Sequence, residues 1–220
     1  MKVTLLHTVR SVYESFPNQL LKAYGKDIEI TSLLDEFLVT NAKKKGYFPP
    51  ENRKKLYLDL VSASLESPDL VCVTCSSLTP FVKEFRSSFD FPIVSIDDAM
   101  CKEAVMRGEN MAVLATAPTT VDPTVSKIQM EADQIGKSVV IKSYLDTEAM
   151  TLLSSGDVKG HDARLAGLAR TCQDADVIVL AQASMATAKK LCEEATAKIV
   201  LTSPETCIRE IIAKLSEITK

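Results

Sequence analysis

The sequence predicts an α/β protein in which two similar, doubly wound halves each carry a mainly parallel sheet. Short runs rich in β-branched residues alternate with helix-length amphipathic segments along most of the chain. Two pairs of strand-like segments also match one another at almost the same offset. With 220 residues, of which 46% are hydrophobic, the chain is long enough to bury a core without disulfides or metal ions.

The predicted strands are the β-branched runs at 2–7, 28–33, 70–74, 93–96, 111–115, 138–142, 177–181 and 198–201. The predicted helices lie between them, at 12–23, 51–66, 80–88, 97–107, 123–135, 146–154, 160–174, 185–194 and 204–218. The last helix has a clear start, since Ser203 can cap it and Pro204 stands at its first position. No element is predicted for 34–50, where 46–50 is interpreted as an ordered loop.

The internal repeat divides the chain. Segment 5–8 matches 113–116 at an offset of 108, and 69–77 matches 176–184 at an offset of 107. We therefore expect a first half at 1–97, joined by a C-terminal helix at 204–220, and a second half at 98–203. Because ligands of open α/β sheets bind beyond the carboxyl ends of the strands, the active site is expected in the cleft between the halves.

Charge and hydropathy argue against several classes of partner. A formal net charge of -3 gives no reason to expect nucleic acid, and the basic residues around 43–55 are interpreted as a solvated face. The chain shows neither a signal peptide nor an apolar run of about eighteen residues, so no membrane is expected as a partner. We expect a cytoplasmic protein whose six cysteines are reduced thiols.

Cys72 and Cys75 form a C-x-x-C pair, which leaves a redox or a zinc site as an alternative. A zinc site needs further close ligands, and His7 and His161 stand apart in the sequence, so no metal is predicted. Cys72 lies within the apolar run 70–73 and is predicted to be core, whereas Cys75 stands at the end of that strand.

Small polar residues follow four of the predicted strands, and hydroxyls and free N–H groups at a helix N-terminus suit a carboxylate. Cys75 precedes Ser76 and Ser77, which are expected to begin a helix that lowers the thiol pKa and favours a basic or nucleophilic thiolate. A cysteine at a strand end can equally be only a small buried side chain. The candidate site residues are His7, Thr8, Cys75, Ser76, Ser77, Thr116, Thr119, Thr120, Gln182 and Ser184.

Three runs at these strand ends together resemble the aspartate/glutamate/hydantoin racemase superfamily, which includes maleate isomerase and arylmalonate decarboxylase. They are VTCSS at 73–77, VLATAPTT at 113–120 and VIVLAQASM at 177–185. The resemblance implies two pseudo-symmetric, flavodoxin-like halves, a small carboxylate substrate, no cofactor and a possible homodimer. It also implies that a cysteine from each half removes or returns the substrate's α-proton.

By this resemblance Cys75 matches the first catalytic cysteine, and the hydroxyls after it and the threonine-rich loop at 116–120 hold the carboxylate and stabilise an enolate-like intermediate. The motif and the repeat place the second cysteine at Gln182, whose amide neither gives nor takes a proton near neutral pH. His7 is either a second proton carrier or a hydrogen-bonded residue at a strand end.

Besides the redox alternative for Cys72 and Cys75, three functions stay open at this point. The first is a cofactor-independent racemase or isomerase that acts on a small carboxylic acid or amino acid through Cys75. The second is a single-cysteine decarboxylase or lyase of the same superfamily. The third is a binding protein for small carboxylates that has lost catalysis.

Overall fold

The computed structural model describes residues 1–25 and 27–218, which contain two four-stranded, fully parallel sheets. The strands are β1 (Lys2–His7), β2 (Glu29–Leu34), β3 (Leu70–Val73), β4 (Ile93–Ser95), β5 (Asn110–Ala115), β6 (Val140–Leu145), β7 (Val177–Leu180) and β8 (Ile199–Thr202). The strand orders are β2-β1-β3-β4 and β6-β5-β7-β8. The predicted fold class is therefore confirmed.

The helices are α1 (Arg10–Tyr24), α2 (Phe37–Lys45), α3 (Pro50–Ser64), α4 (Thr79–Phe85), α5 (Asp98–Arg107), α6 (Pro118–Gln134), α7 (Thr147–Ser154), α8 (Val158–Arg170), α9 (Lys189–Thr196) and α10 (Ser203–Ile218). Short 3₁₀ turns at Ser76–Leu78 and Ala183–Ala188 precede α4 and α9. Within the described ranges, none of these helices has both the length and the apolar character that crossing a bilayer requires.

The chain forms two compact units, one made of Met1–Ile96 and the residues from Cys207 on, the other of Asp97–Thr206. The same hydrogen bond extends the central ladder in each unit. Thr74 N–H donates to the Leu6 carbonyl at 2.9 Å, and Ala181 N–H donates to the Leu114 carbonyl at 2.9 Å. The two units thus repeat one topology down to the residues that follow the central strands.

Apolar residues cover both faces of the second sheet. Met111 and Val113 of β5 pack in one cluster with α5 and α6. Ala112 and Leu114 of the same strand pack in another with α8 and α9. Because successive side chains of a strand point to opposite faces, a sheet covered on both sides requires the nearly continuous apolar runs seen in the sequence.

Helix α2 lies where no element was predicted, and that prediction was wrong. Leu38 is the one buried residue of this helix, so its sequence shows little apolar periodicity. Two local features determine its ends instead. The Asp35 carboxylate accepts a hydrogen bond from Phe37 N–H at 3.0 Å, and Gly46 ends the helix in the left-handed conformation with φ 79°.

Helix α6 begins at Pro118, five residues before the predicted start at 123. A proline at the first helical position gives up no hydrogen bond, which makes Pro118 the start signal. Pro123 lies inside the helix. Thr119 and Thr120, which were predicted to lie in a loop, therefore belong to the first turn of α6.

Candidate active site

Cys75 directly follows β3 and precedes the 3₁₀ turn Ser76–Leu78. Its backbone is extended, with φ -141° and ψ 111°, and its carbonyl accepts from Leu78 N–H at 3.0 Å. The side chain is half-buried and packs partly against the apolar cluster of β1, β3 and α3. The other five cysteines are at most 2% exposed, so Cys75 is the one partly exposed cysteine of the described residues.

Cys72 points away from this position. It is fully buried, and its Sγ lies 3.5 Å from Sγ of Cys207 in α10, which is also fully buried. A redox function of the C-x-x-C pair requires both thiols to be exposed, and Cys72 does not meet that requirement. In residues 1–25 and 27–218 no three side chains of His, Cys, Asp or Glu form a group suited to a metal ion.

His7 ends β1, beside Thr74 at the end of the neighbouring strand, and is fully buried. The Thr74 hydroxyl lies 3.2 Å from the Leu6 carbonyl and 2.7 Å from His7 Nδ1. Since a carbonyl can only accept, the hydroxyl donates to Leu6 and accepts from Nδ1–H. Nε2 then keeps its lone pair, and it has no hydrogen-bond partner among the described residues.

Burial lowers the pKa of His7 to about 4, because the interior disfavours the charged imidazolium. His7 is therefore neutral near pH 7 and has no acidic imidazolium proton to give there. The His7 and Tyr13 rings are nearly perpendicular to one another, with ring centroids 5.5 Å apart. Thr74, which holds His7 in one tautomer, was missed by the sequence analysis because only the pairing of β1 with β3 brings them together.

Thr8 follows His7 and is 3% exposed. The parallel register sets Leu6 beside Val73, and continuing it by two residues sets Thr8 beside Cys75. The Thr8 hydroxyl has no hydrogen-bond partner in the part of the chain that the structure describes. A buried hydroxyl without a partner costs about 1–3 kcal/mol, which a ligand that accepts its proton would recover. Ser76 is buried and Ser77 half-buried in the next turn.

Two carboxylates and a lysine lie at the carboxyl end of β2. Lys55 Nζ is 2.5 Å from Oδ2 of Asp35 and 2.7 Å from Oδ1 of Asp59. Burial raises the pKa of Asp59 to about 6, and the neighbouring Asp35 carboxylate adds to the rise. The spacing of Lys55 and Asp59 by four residues in α3 indicates an ion pair, but it gives no sign that Asp35 joins them.

Gln182 lies two residues after the end of β7. This position in the second unit corresponds to Cys75 in the first. Its Oε1 accepts three hydrogen bonds, from Thr116 N–H at 2.6 Å, the Thr116 hydroxyl at 3.0 Å and Ala117 N–H at 3.1 Å. Two of these donors are backbone amides at the N-terminus of α6, which begins at Pro118. The side chain of Gln182 thus occupies the donors of this turn.

The threonines of this turn were predicted to bind substrate, and their hydroxyls make hydrogen bonds within the protein. The Thr116 hydroxyl donates to Gln182, and the Thr120 hydroxyl donates to the Ala117 carbonyl at 2.8 Å. Thr119 is exposed on the first turn of α6, and Ser184 is half-buried in the 3₁₀ turn after Gln182. Each unit therefore gathers its own predicted site residues at the ends of its two central strands.

Solved structures of several racemases share this fold. The aspartate racemase of Picrophilus torridus matches with a TM-score of 0.72 and 13% identity, over 96% of this chain and 94% of its own. A glutamate racemase from Bacillus anthracis matches with 0.72 and 11%, over 98% and 81%. The allantoin racemase of Pseudomonas fluorescens matches with 0.62 and 16%, over 100% and 92%. At such low identity the similarity shows the fold alone.

No curated protein matches the chain in sequence. The family model described as Asp/Glu/hydantoin racemase matches residues 49–211, which is well over half of the chain. This stretch includes Cys75 in the first unit and both Thr116 and Gln182 in the second. The chain therefore belongs to the Asp/Glu/hydantoin racemase family.

Proposed function

We propose that the chain is a cofactor-independent enzyme of the racemase and isomerase type that acts on a small carboxylic acid through the thiol of Cys75. The observation that carries this proposal is the position of the thiol. Cys75 is partly exposed at the end of a central strand, while the other cysteines are buried. Family membership supports a reaction of the racemase type.

In the proposed reaction the Cys75 thiolate takes the α-proton of the substrate, which becomes an enolate-like anion. A proton from water then adds to the opposite face of the same carbon, which inverts its configuration, and the Cys75 thiol loses its proton to solvent. Thr8 supports this step, because its buried hydroxyl has no partner among the described residues and lies at the neighbouring strand end. A donor placed there before the reaction would stabilise negative charge on a substrate oxygen as it develops.

A single-cysteine decarboxylase or lyase is the second candidate, and Gln182 favours it. An amide held by three donors cannot act as the second acid or base that a two-sided racemization needs. Decarboxylation needs only one proton donor. The C–C bond breaks, carbon dioxide leaves, and the thiol of Cys75 protonates the remaining carbanion.

Both candidates are tested by proton NMR in deuterium oxide with a panel of small mono- and dicarboxylates. The wild type is compared with Cys75→Ala and with Cys172→Ala, a control that removes a buried thiol of the second unit. We expect deuterium at the α-carbon, or a product that carries one solvent deuteron, with wild type and control. Cys75→Ala is expected to lose at least about 10²-fold of this rate.

Full turnover in a folded Cys75→Ala protein would exclude the thiol mechanism. A product with one carbon dioxide fewer than its substrate identifies the decarboxylase, whereas deuterium exchange with inversion of the α-carbon, measured by chiral chromatography, identifies the racemase type. Binding of carboxylates without exchange or conversion would show a binding protein and contradict both enzymatic candidates.

A further inference from the structure

The side chain of Gln182 has one possible orientation in this structure. Its three neighbours are two backbone N–H groups and a hydroxyl, and backbone N–H groups can only donate. The atom that they contact is therefore the amide oxygen rather than the nitrogen. Nε2 points away with its two N–H groups, and no acceptor in the described part of the protein pairs with them.

Three donors that converge on one oxygen at the start of a long helix form an arrangement that also suits a carboxylate oxygen. The backbone dipoles of α6, a helix of 17 residues, favour negative charge at this end. In this chain the oxygen that these donors bind is Oε1 of Gln182. The distances of 2.6, 3.0 and 3.1 Å leave no donor of this set for a second acceptor.

We propose that Gln182 is a specificity-determining residue: its amide oxygen fills the anion-binding turn at the end of β5, and its amide nitrogen offers the substrate two neutral N–H donors instead. An oxygen of the substrate that faces this strand end then meets Nε2 rather than the turn. This inference rests on the proposed function for its substrate, a small carboxylate, but the occupied turn is a property of the protein without ligand.

The inference gives a physical reason for a glutamine at this position. A side chain without an acceptor would leave three donors at the start of α6 without a protein partner. Glutamine supplies the acceptor without adding charge and still presents a polar group outward. Glutamate would supply the same acceptor, but it would replace the outward N–H donors with a second oxygen.

The test is a titration of ¹⁵N-labelled protein with sodium acetate, followed in the backbone amide signals of Thr116 and Ala117 and in the side-chain Nε2 signals of Gln182. It compares the wild type with Gln182→Ala and Gln182→Glu. In Gln182→Ala the donors are free, so both backbone signals are expected to shift and saturate with a Kd on the order of millimolar. In the wild type only the Nε2 signals are expected to shift.

Gln182→Glu is the matched variant, because its carboxylate can accept the same three hydrogen bonds. Its Thr116 and Ala117 signals are expected to stay unchanged by acetate. Backbone shifts in the wild type as large as those in Gln182→Ala would contradict the proposal that Gln182 occupies the turn. So would the absence of backbone shifts in a folded Gln182→Ala protein. Silent Nε2 signals in the wild type would overturn the donor role. None of these readouts involves turnover or Cys75. A failure of the enzymatic proposal would therefore leave the NMR shifts of this titration unchanged.

Discussion

The two units place different chemistry on the same scaffold. In the first unit the ends of the central strands carry His7, Thr8 and Cys75. The second unit has Ala115, Thr116 and Gln182 at the corresponding positions. The backbone is the same, since equivalent ladder hydrogen bonds of 2.9 Å lead into both sets.

The difference lies in which polar groups are already satisfied. His7 Nε2 and the Thr8 hydroxyl are buried without a hydrogen-bond partner among the described residues, whereas the Thr116 hydroxyl donates to Gln182. Buried groups without partners reduce stability and are expected where a ligand will bind. We propose that the first unit keeps these groups for a ligand, whereas in the second unit Gln182 satisfies the donors of the turn.

The largest expected effect concerns the thiols. Under native conditions iodoacetamide is expected to modify Cys75 on the order of 10³-fold faster than the five buried cysteines, which react only when the structure opens. Gln182→Cys would make the two strand ends alike. It is expected to add a second fast thiol, because the freed donors of Thr116 and Ala117 favour the thiolate.

Mass spectrometry of the alkylated peptides over time measures each thiol separately. Cys172, which is 2% exposed in the second unit, serves as the internal control. If Cys75 reacted as slowly as Cys172, the first unit would not present an accessible thiol. If the introduced cysteine stayed unreactive in a folded protein, the corresponding strand ends would not be equivalent.

The sequence was sufficient to predict most of the fold. All eight strands lie within a few residues of their predicted positions. The fully buried strands β3 and β7 stand out as apolar runs because the sheet is covered on both faces. Helix α2 was not predicted because only Leu38 of this segment is buried. Its ends depend on Asp35 and Gly46, and neither signal is specific enough on its own.

The site was predictable as a set of positions but not as a set of contacts. Cys75 and Gln182 stood out from the motif and the repeat. That Gln182 would turn its oxygen to Thr116 depends on the geometry of the α6 start, which the sequence placed at 123. The pKa of His7 depends on complete burial at the end of β1, and a single histidine in a sequence does not reveal how buried it is.

A second prediction concerns His7, which has no ionisable counterpart because Ala115 takes its place in the second unit. The folded pKa of about 4 lies below the value of about 6.5 in the unfolded chain. The unfolded state therefore binds the proton first, so stability is fully present above pH 6.5 and falls as the pH drops toward 4. The loss from His7 alone is expected to reach about 3 kcal/mol near pH 4.

Urea unfolding between pH 7.5 and 4.5 measures this loss. In His7→Asn the side-chain amide can still donate to Thr74, but it does not titrate, so the free energy of unfolding should depend less on pH. The comparison uses the difference between the two proteins at each pH, because other acids titrate in both. Parallel curves for wild type and His7→Asn would contradict a buried, neutral His7.

The smallest expected effect separates the two threonines. Thr8→Val removes a buried hydroxyl that makes no hydrogen bond in the described residues, so the free energy of unfolding should stay equal or rise. Thr116→Val removes a hydroxyl that donates to Gln182 at 3.0 Å, and it should lower that free energy by about 1 kcal/mol. Urea unfolding at pH 7.5 measures both variants against the wild type.

The two substitutions are chemically identical and lie at corresponding strand ends, so each controls for the other.

The effects of the two substitutions on ligand affinity should have the opposite order to their effects on stability. Thr8→Val is expected to weaken the binding of a carboxylate that the wild type recognises, because it removes a donor kept for the ligand. Thr116→Val should bind that carboxylate nearly as well as the wild type, since the hydroxyl is already engaged by Gln182. A Thr8→Val protein that is less stable than Thr116→Val would show that Thr8 has a structural partner, and the contrast between the units would then lose its physical basis.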